Sequence, residues 1–318
     1  MTLPLFSDSQ TPLARALAPP LRRLADRNIF VGTSSWKYEG WLGLIYDPER
    51  YKTRGKFSRR RFEDTCLAEF CGAFPTVSGD FAFYQFPSAD FWQRLFSQVP
   101  PTFQFGFKVP EQITCPTFPA HARYRGRIGL ENPSFLDIGL LQEAFLRRLE
   151  PYRNQVGVLV FEFGAFLKRK YESVELFLAD LDPFLKSLPQ DFRYAVEIRN
   201  KEYLQRPYFD CLRSHNVAHV FNAWTRMPPL ESQVEISDAY TADFIVCRAL
   251  LRHGRTFEAA VKEFSPYSHI VDPNPEARGA LRELIDRALE KQRKGFIYVG
   301  NRLEGNSPLT IQEIVQDA

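Results

Sequence analysis

Arg193-Tyr194-Ala195-Val196-Glu197-Ile198-Arg199-Asn200 begins as an apolar strand and ends in charge. Val196 and Ile198 are β-branched, a residue type that fits a pleated surface. Side chains alternate along a strand, so Ala195, Glu197 and Arg199 share one face while Val196 and Ile198 share the other. A carboxylate and a guanidinium two residues apart, at the exit of a buried strand, cost free energy unless they are paired or used. Two readings stand side by side. One is a structural ion pair that closes a barrel end; the other is a pair of site residues at the carboxyl edge of a parallel sheet.

Outward from this stretch the pattern repeats. Residues 156–163 form a continuous apolar run, as expected of a strand covered on both faces. Residues 103–109 alternate with period two. Residues 29–34 are a short apolar run that stops in Ser34, Ser35 and Trp36. Residues 76–84 read as a second strand, interrupted by Ser78, Gly79 and Asp80. On the other side, residues 217–222, 242–248 and 295–301 read as three more strands. Helical spacing of apolar residues fills the intervals, at 58–70, 91–96, 135–149, 174–188, 203–215 and 275–293, with a short closing helix at 309–315.

About eight β units, roughly 35–40 residues apart, alternate with helices, and that alternation demands a parallel sheet with helices outside it. Their number and the chain length predict an α/β fold, a (β/α)8 TIM barrel, in one domain over residues 29–318. After the first strand, Gly32-Thr33-Ser34-Ser35 lacks the G-x-G-x-x-G spacing of a dinucleotide turn. Residues 1–28, with Pro4, Pro12, Pro19 and Pro20, are expected to be an N-terminal tail or short surface helix outside the core.

The composition agrees with a globular chain. Of 318 residues, 44% are hydrophobic and 25% charged, enough apolar material for a sizeable core. With 29 Phe and 13 Tyr, ring packing should dominate that core. A net charge of +3 is too small to indicate nucleic-acid binding by itself. Cys66, Cys71, Cys115, Cys211 and Cys247 are odd in number and lack zinc-knuckle spacing, which argues against a disulfide framework. The start has no basic n-region, and no stretch reaches transmembrane length. The expectation is a cytoplasmic protein that does not bind membranes.

In a barrel of this kind, sites gather at the carboxyl ends of the strands. The predicted strands end in Trp36, in Phe83-Tyr84-Gln85, and in Lys108, Glu162, Glu197 with Arg199, Asn222, Arg248 and Asn301. Nearly every apolar run thus stops on a polar or ionisable group at one face. Each has a plainer alternative. Lys108 and Glu162 could simply pair across neighbouring strands. Arg248 could close the mouth as a structural cation. Asn222 and Asn301 could cap turns, and Trp36 could wall the domain. His253 follows the seventh strand and is read as a surface or hydrogen-bonded residue rather than a base.

Five histidines, of which His215 falls at a helix end and His219 in mid-strand, argue against a tight transition-metal cluster; Mg²⁺ held by Glu162, Glu197 and waters stays open. Arg50, Lys52, Arg54, Lys56, Arg59, Arg60 and Arg61 crowd the first connection, and Arg123, Arg125 and Arg127 the third. With Lys108, Arg199 and Arg248 they would make a cationic mouth suited to phosphate or carboxylate ligands; the alternative is a solvated loop. The long third connection, residues 110–133, reads as a lid.

Several of these motifs resemble the DUF72 (YecE-like) family of uncharacterised proteins. They are Val31-Gly32-Thr33-Ser34-Ser35-Trp36 with Tyr38, Trp41 and Tyr46; Phe83-Tyr84 with Pro87; Phe107-Lys108-Val109 with Ile113-Thr114; Gly157-Val158-Leu159-Val160-Phe161; Tyr194-Ala195-Val196-Glu197-Ile198-Arg199; Val246-Cys247-Arg248; and Asn301 with Gly305. The resemblance implies a TIM barrel and supplies no established reaction. The chain departs from the family's pattern at Ser78 and Asp80, where Glu and Asn are usual, and at Asn200, Tyr203 and Gly300.

The expected function is an enzyme acting on an anionic or polyhydroxylated small substrate by acid–base chemistry, with no organic cofactor and no metal. Glu197 and Glu162 are the candidate catalytic carboxylates. Lys108, Arg199, Arg248, Asn222, Asn301, Trp36 and Tyr84 are the candidate substrate-binding residues. Two alternatives are kept: a nucleic-acid-processing or nucleic-acid-binding barrel, and a non-catalytic ligand sensor or interaction scaffold.

Overall fold

Alternating side chains decide how this chain closes. In a computed structural model, which describes residues 10–166 and 170–316, the eight apolar runs become β1 (Ile29–Thr33), β2 (Thr76–Gly79), β3 (Gln104–Lys108), β4 (Val156–Glu162), β5 (Tyr194–Glu197), β6 (Ala218–Ala223), β7 (Phe244–Ala249) and β8 (Lys294–Val299). All pair in parallel, each with its sequence neighbour, and β8 returns to β1 to close the barrel. Each strand turns one set of residues inward. Phe30, Val158, Val160, Ala195, Ala218, Val220, Phe244, Val246, Phe296 and Tyr298 form one cluster inside the barrel. Val31, Val77, Leu159, Phe161, Val196, Ile198, Phe221 and Ile297 belong to a separate, larger core between the sheet and the helices. Ala195 and Val196 therefore fall on opposite faces, as alternation requires.

Aromatic rings plug the lower barrel: Phe30 stacks on Phe296 with centroids 5.5 Å apart, and Phe244 meets Phe296 edge-on at 6.4 Å. Inward positions near the sheet's crossing points need glycine. A methyl group on Gly32 would collide with the Thr76 carbonyl, and one on Gly106 with the Tyr298 ring. Around the barrel lie α1 (Pro12–Asp26), α2 (Arg59–Phe70), α3 (Ala89–Phe96), α4 (Val174–Lys186), α5 (Arg206–Ser214), α6 (Phe257–Phe264), α7 (Pro275–Glu290) and α8 (Ser307–Val315). Between β3 and β4, the expected helix runs through Ile138–Leu141, a π turn at Gln142–Leu146 and Arg147–Leu149.

Two expectations are corrected. The segment expected to be a tail or short surface helix outside the core contains α1, capped by the Thr11 hydroxyl; Leu17, Leu21 and Leu24 on it are buried against the main core, and the helix packs on β1 and α8. The two prolines at 19 and 20 do not prevent a helix whose buried stripe is intact. Residues 1–9 lie outside the described residues. The second strand stops at Gly79, and Phe81–Tyr84 is a helical turn. Gly79 faces Phe81 and Phe107 so closely that a Cβ there would clash, and the chain turns away at Asp80.

No helix among the described residues is long and apolar enough to cross a membrane.

Candidate functional site at the carboxyl end of the barrel

The inward alternation that places valines in the barrel middle places charge on the next layer up. Lys108 ends β3, Glu162 ends β4, Glu197 ends β5 and Arg248 lies in β7. Arg199 follows two residues after Glu197, on the same face. Glu162 and Glu197 are register partners on adjacent strands, and two like charges opposed in this way repel. The arginines resolve this. Arg248 Nη1 donates to Glu162 Oε2 at 2.7 Å and also to Glu197 Oε2. Arg199 Nη2 lies 3.1 Å from Glu162 Oε2 and 2.5 Å from Glu197 Oε1. Each guanidinium thus bridges both carboxylates.

Two further groups complete the cluster. Lys108 Nζ lies 3.1 Å from Glu162 and 4.0 Å from Asp80. Asp80 Oδ1 accepts from Arg248 Nη2 at 3.2 Å. Three carboxylates therefore face three cations. Phe83 covers Lys108, its ring centroid 3.6 Å from Nζ, and Trp224 covers Arg199 at 3.8 Å; cation–π contacts strengthen as water leaves. Burial pushes the Glu162 carboxyl up, but Lys108, Arg199 and Arg248 outweigh it and hold it well below the usual carboxylate range. Burial opposes the charge on Arg248, yet Glu197, Asp80 and Glu162 raise its pKa further. Both groups stay ionised at any ordinary pH.

Exposure separates the members. Glu197 and Arg248 are fully buried, whereas the Glu162 and Asp80 side chains are 15% and 38% exposed. Two cavities reach those two carboxylates. One of about 710 Å³ is walled by Asp80, Ser78, Ser34, Trp36, Tyr38 and Phe81, among others. The second, of about 520 Å³, is bounded by Glu162, Phe83, Phe166 and the connection expected to be a lid, from Glu111 to Gly129. Behind the wall of the first, the Ser78 hydroxyl and the Trp36 indole N–H are buried with no partner among the described residues; within the charged cluster, Arg199 Nη1 is likewise unpaired.

Of the residues expected at the site, Lys108, Glu162, Glu197, Arg199 and Arg248 come together. Trp36 lines the larger cavity. Asn222 is buried beside the cluster as a register partner of Arg248, and its amide donates to Ile198 O at 2.9 Å. Asn301 is not in the cluster: its Oδ1 takes the Ser307 N–H and hydroxyl, both at 2.8 Å, and so secures the approach to α8. Tyr84 is not brought in either. It is 56% exposed, on the far side of the helical turn, under the Arg123 guanidinium at 4.6 Å. His253 hydrogen-bonds Met227 O at 2.7 Å. Asp80 and Trp224 joined the site unannounced, and Phe83, expected only as part of a strand end, covers Lys108. Asp80 obeys the same strand-end rule as the others, and ending β2 at Gly79 would have found it.

The basic rim is neutralised in part: among the described residues Arg54, Lys56, Arg61, Arg125 and Arg127 have no ion pair. Arg50 pairs with Glu69, Lys52 with Glu49, Arg59 with Glu39 and Glu63, Arg60 with Asp64, and Arg123 with Glu111. Among the described residues, no three His, Cys, Asp or Glu side chains are grouped to hold a metal ion.

A closed parallel barrel ringed by helices, with polar side chains converging at its carboxyl end, defines a (β/α)8 barrel of the TIM type. A family model described as "Protein of unknown function DUF72" matches residues 30–318, so the chain belongs to that family. No curated protein matches it. Among solved structures it is similar to a DUF72 family protein from Thermotoga maritima, at 20% identity over 91% of this chain and 98% of that one, with a TM-score of 0.59. It is also similar to a DUF72 family protein from Enterococcus faecalis, at 17% identity over 91% and 96%, with a TM-score of 0.58. At these identities the likeness shows the fold alone.

Proposed function

We propose that the protein is an enzyme acting on a neutral, polyhydroxylated small molecule at the carboxyl end of the barrel. The observation that carries this reading is the cavity of about 710 Å³ whose wall carries the 38% exposed Asp80 carboxylate beside Trp36, Tyr38 and Phe81. Hydroxyl groups supply both donors and acceptors, and the Trp36 and Phe81 rings offer apolar wall for C–H faces. In this reading Asp80, the most exposed carboxylate, takes a proton from a substrate hydroxyl. Lys108, 4.0 Å from Asp80, stabilises the oxyanion that results. Glu162, held ionised, and Glu197, locked between two arginines, keep the cluster's cations in place.

Of the two substrate classes expected, charge balance favours the polyhydroxylated one. Each cation of the cluster already faces a carboxylate, so the cluster itself leaves no net positive charge to draw an anion. Ion pairs at Arg50, Lys52, Arg59, Arg60 and Arg123 on the rim weaken the support for nucleic-acid binding. Internal pairing alone would suit a non-catalytic scaffold equally; the cavities against Asp80 and Glu162 weigh for a ligand.

The test is a thermal-shift screen of neutral sugars and polyols beside their phosphorylated forms, on the wild type, Asp80→Asn and Trp36→Phe. A neutral compound should raise the wild-type Tm and lose at least tenfold in affinity in Asp80→Asn. Binding of phosphorylated forms only, or equal responses in the variants, refutes the proposal.

A further inference from the structure

The opposite end of the barrel reverses the electrostatic pattern. There the starts of β5 to β8 surround a cleft of about 630 Å³. Arg193 precedes β5, Arg213 and Asn216 precede β6, Asp243 precedes β7, and Lys291, Arg293 and Lys294 form the turn into β8. Alternation puts Arg193 two residues below the inward Ala195, and Lys294 two below the inward Phe296. Both therefore sit on the lower rim beneath the aromatic plug.

Five cations meet there with one carboxylate lining the cleft. Arg213 is taken up by Asp210 and Asp238. Asp243 is held by Asn216, whose amide donates to it at 3.0 Å. Arg193, Lys291, Arg293 and Lys294 have no ion-pair partner among the described residues. Arg193, Arg293 and Lys294 are also half-buried. Burial, and then the nearby Arg193 cation, push the Lys294 ammonium below its ordinary range, against the opposing pull of the Asp243 carboxylate.

Helix electrostatics account for part of this. Lys291 follows the carboxyl end of α7 and complements its dipole. They do not account for Arg193, which comes from a different strand. The amino-terminal face of such barrels ordinarily serves stability, and unpaired, half-buried like charges work against stability. A multivalent anion would offset that cost.

We propose that this cleft binds a compact multivalent anion, a small molecule bearing a di- or triphosphate group, clasped by Arg193, Arg293 and Lys294 with Lys291 at the rim. The volume is that of a small-molecule site, and guanidinium forks match phosphate oxygens. A nucleic acid fits less well. The cations converge on one cleft, and Tyr240, the aromatic at its edge, is engaged by Phe221 at 5.0 Å and Arg287 at 5.2 Å, leaving no open stacking platform.

The experiment is isothermal titration of the full chain with sodium triphosphate at constant ionic strength. Sulfate and a single-stranded oligonucleotide are run in parallel. The wild type should bind triphosphate saturably. Arg193→Gln and Lys294→Gln should each weaken it more than tenfold, Lys294→Arg should retain it, and Arg60→Gln, on a distant exposed helix, should not change it. Relief of repulsion should leave the ligand-free Tm of both Gln variants equal to or above wild type, which separates lost binding from lost folding. No saturable binding, equal binding of sulfate, preference for the oligonucleotide, or unaltered affinity in both Gln variants overturns the proposal.

Discussion

The charged cluster at the carboxyl end makes a sharp prediction about Glu197 and Arg248. Replacing Arg248 with Met leaves two register-paired glutamates sharing Arg199 and Lys108, and leaves Asp80 with only the 4.0 Å contact to Lys108. Replacing Glu197 with Gln leaves Arg248 and Arg199 sharing Glu162. Either change strands a buried charge, at a cost of about 3–5 kcal/mol. The double variant keeps Lys108 and Arg199 against Asp80 and Glu162, and is balanced again. At roughly 2.1 cal/mol/K per residue, unfolding a chain of this length carries about 0.7 kcal/mol/K. Each single variant should therefore lose about 4–8 °C in Tm. The double variant should lie at least about 2 kcal/mol, or about 3 °C, above the sum of the two losses. Calorimetry on the four proteins of the cycle measures this. Strict additivity would mean that the two side chains do not share a charge network, and the reading of the site as an internally balanced cluster would fall with it.

Two further outcomes test other parts of the structure. His219 is buried among Tyr208, Phe209 and Phe221, and burial lowers its pKa to about 3. Its folded pKa lies below the ordinary 6.5, so the unfolded chain takes up the proton first as pH falls, and stability drops from about pH 6.5 downward. The loss between pH 7 and pH 5 is about 2 kcal/mol, near 3 °C, and a Tm-versus-pH series on His219→Phe should lack it; an unchanged slope contradicts the burial argument. Deletion of residues 1–26 should lower the Tm markedly, because burial of Leu17, Leu21 and Leu24 contributes on the order of 4 kcal/mol or more; an unaltered Tm would return the segment to the role of a tail.

The fold class, and Lys108, Glu162, Glu197, Arg199 and Arg248 at the barrel's carboxyl end, were legible in the sequence. Both rest on local periodicity: strand alternation commits Ala195, Glu197 and Arg199 to one face whatever the rest of the chain does, and eight apolar runs separated by helices leave little choice of topology. The same rule missed where it was applied to the wrong end point. Residues 76–84 read as one strand because Phe81 and Phe83 continue the apolar run, whereas close packing at Gly79 turns the chain, which brought Asp80 in and left Tyr84 outside. The prolines of the first 28 residues hid α1, whose stability comes from a buried leucine stripe that exists only once β1 and α8 are in place. Charge is where tertiary structure decided most. A sequence lists Lys108, Arg199 and Arg248 as cations but cannot say that Glu162, Glu197 and Asp80 lie within reach of them, nor that Arg193 and Lys294 at the other end lack partners. Ion pairing depends on distances between strands far apart in the chain, and those distances are set only when the sheet closes.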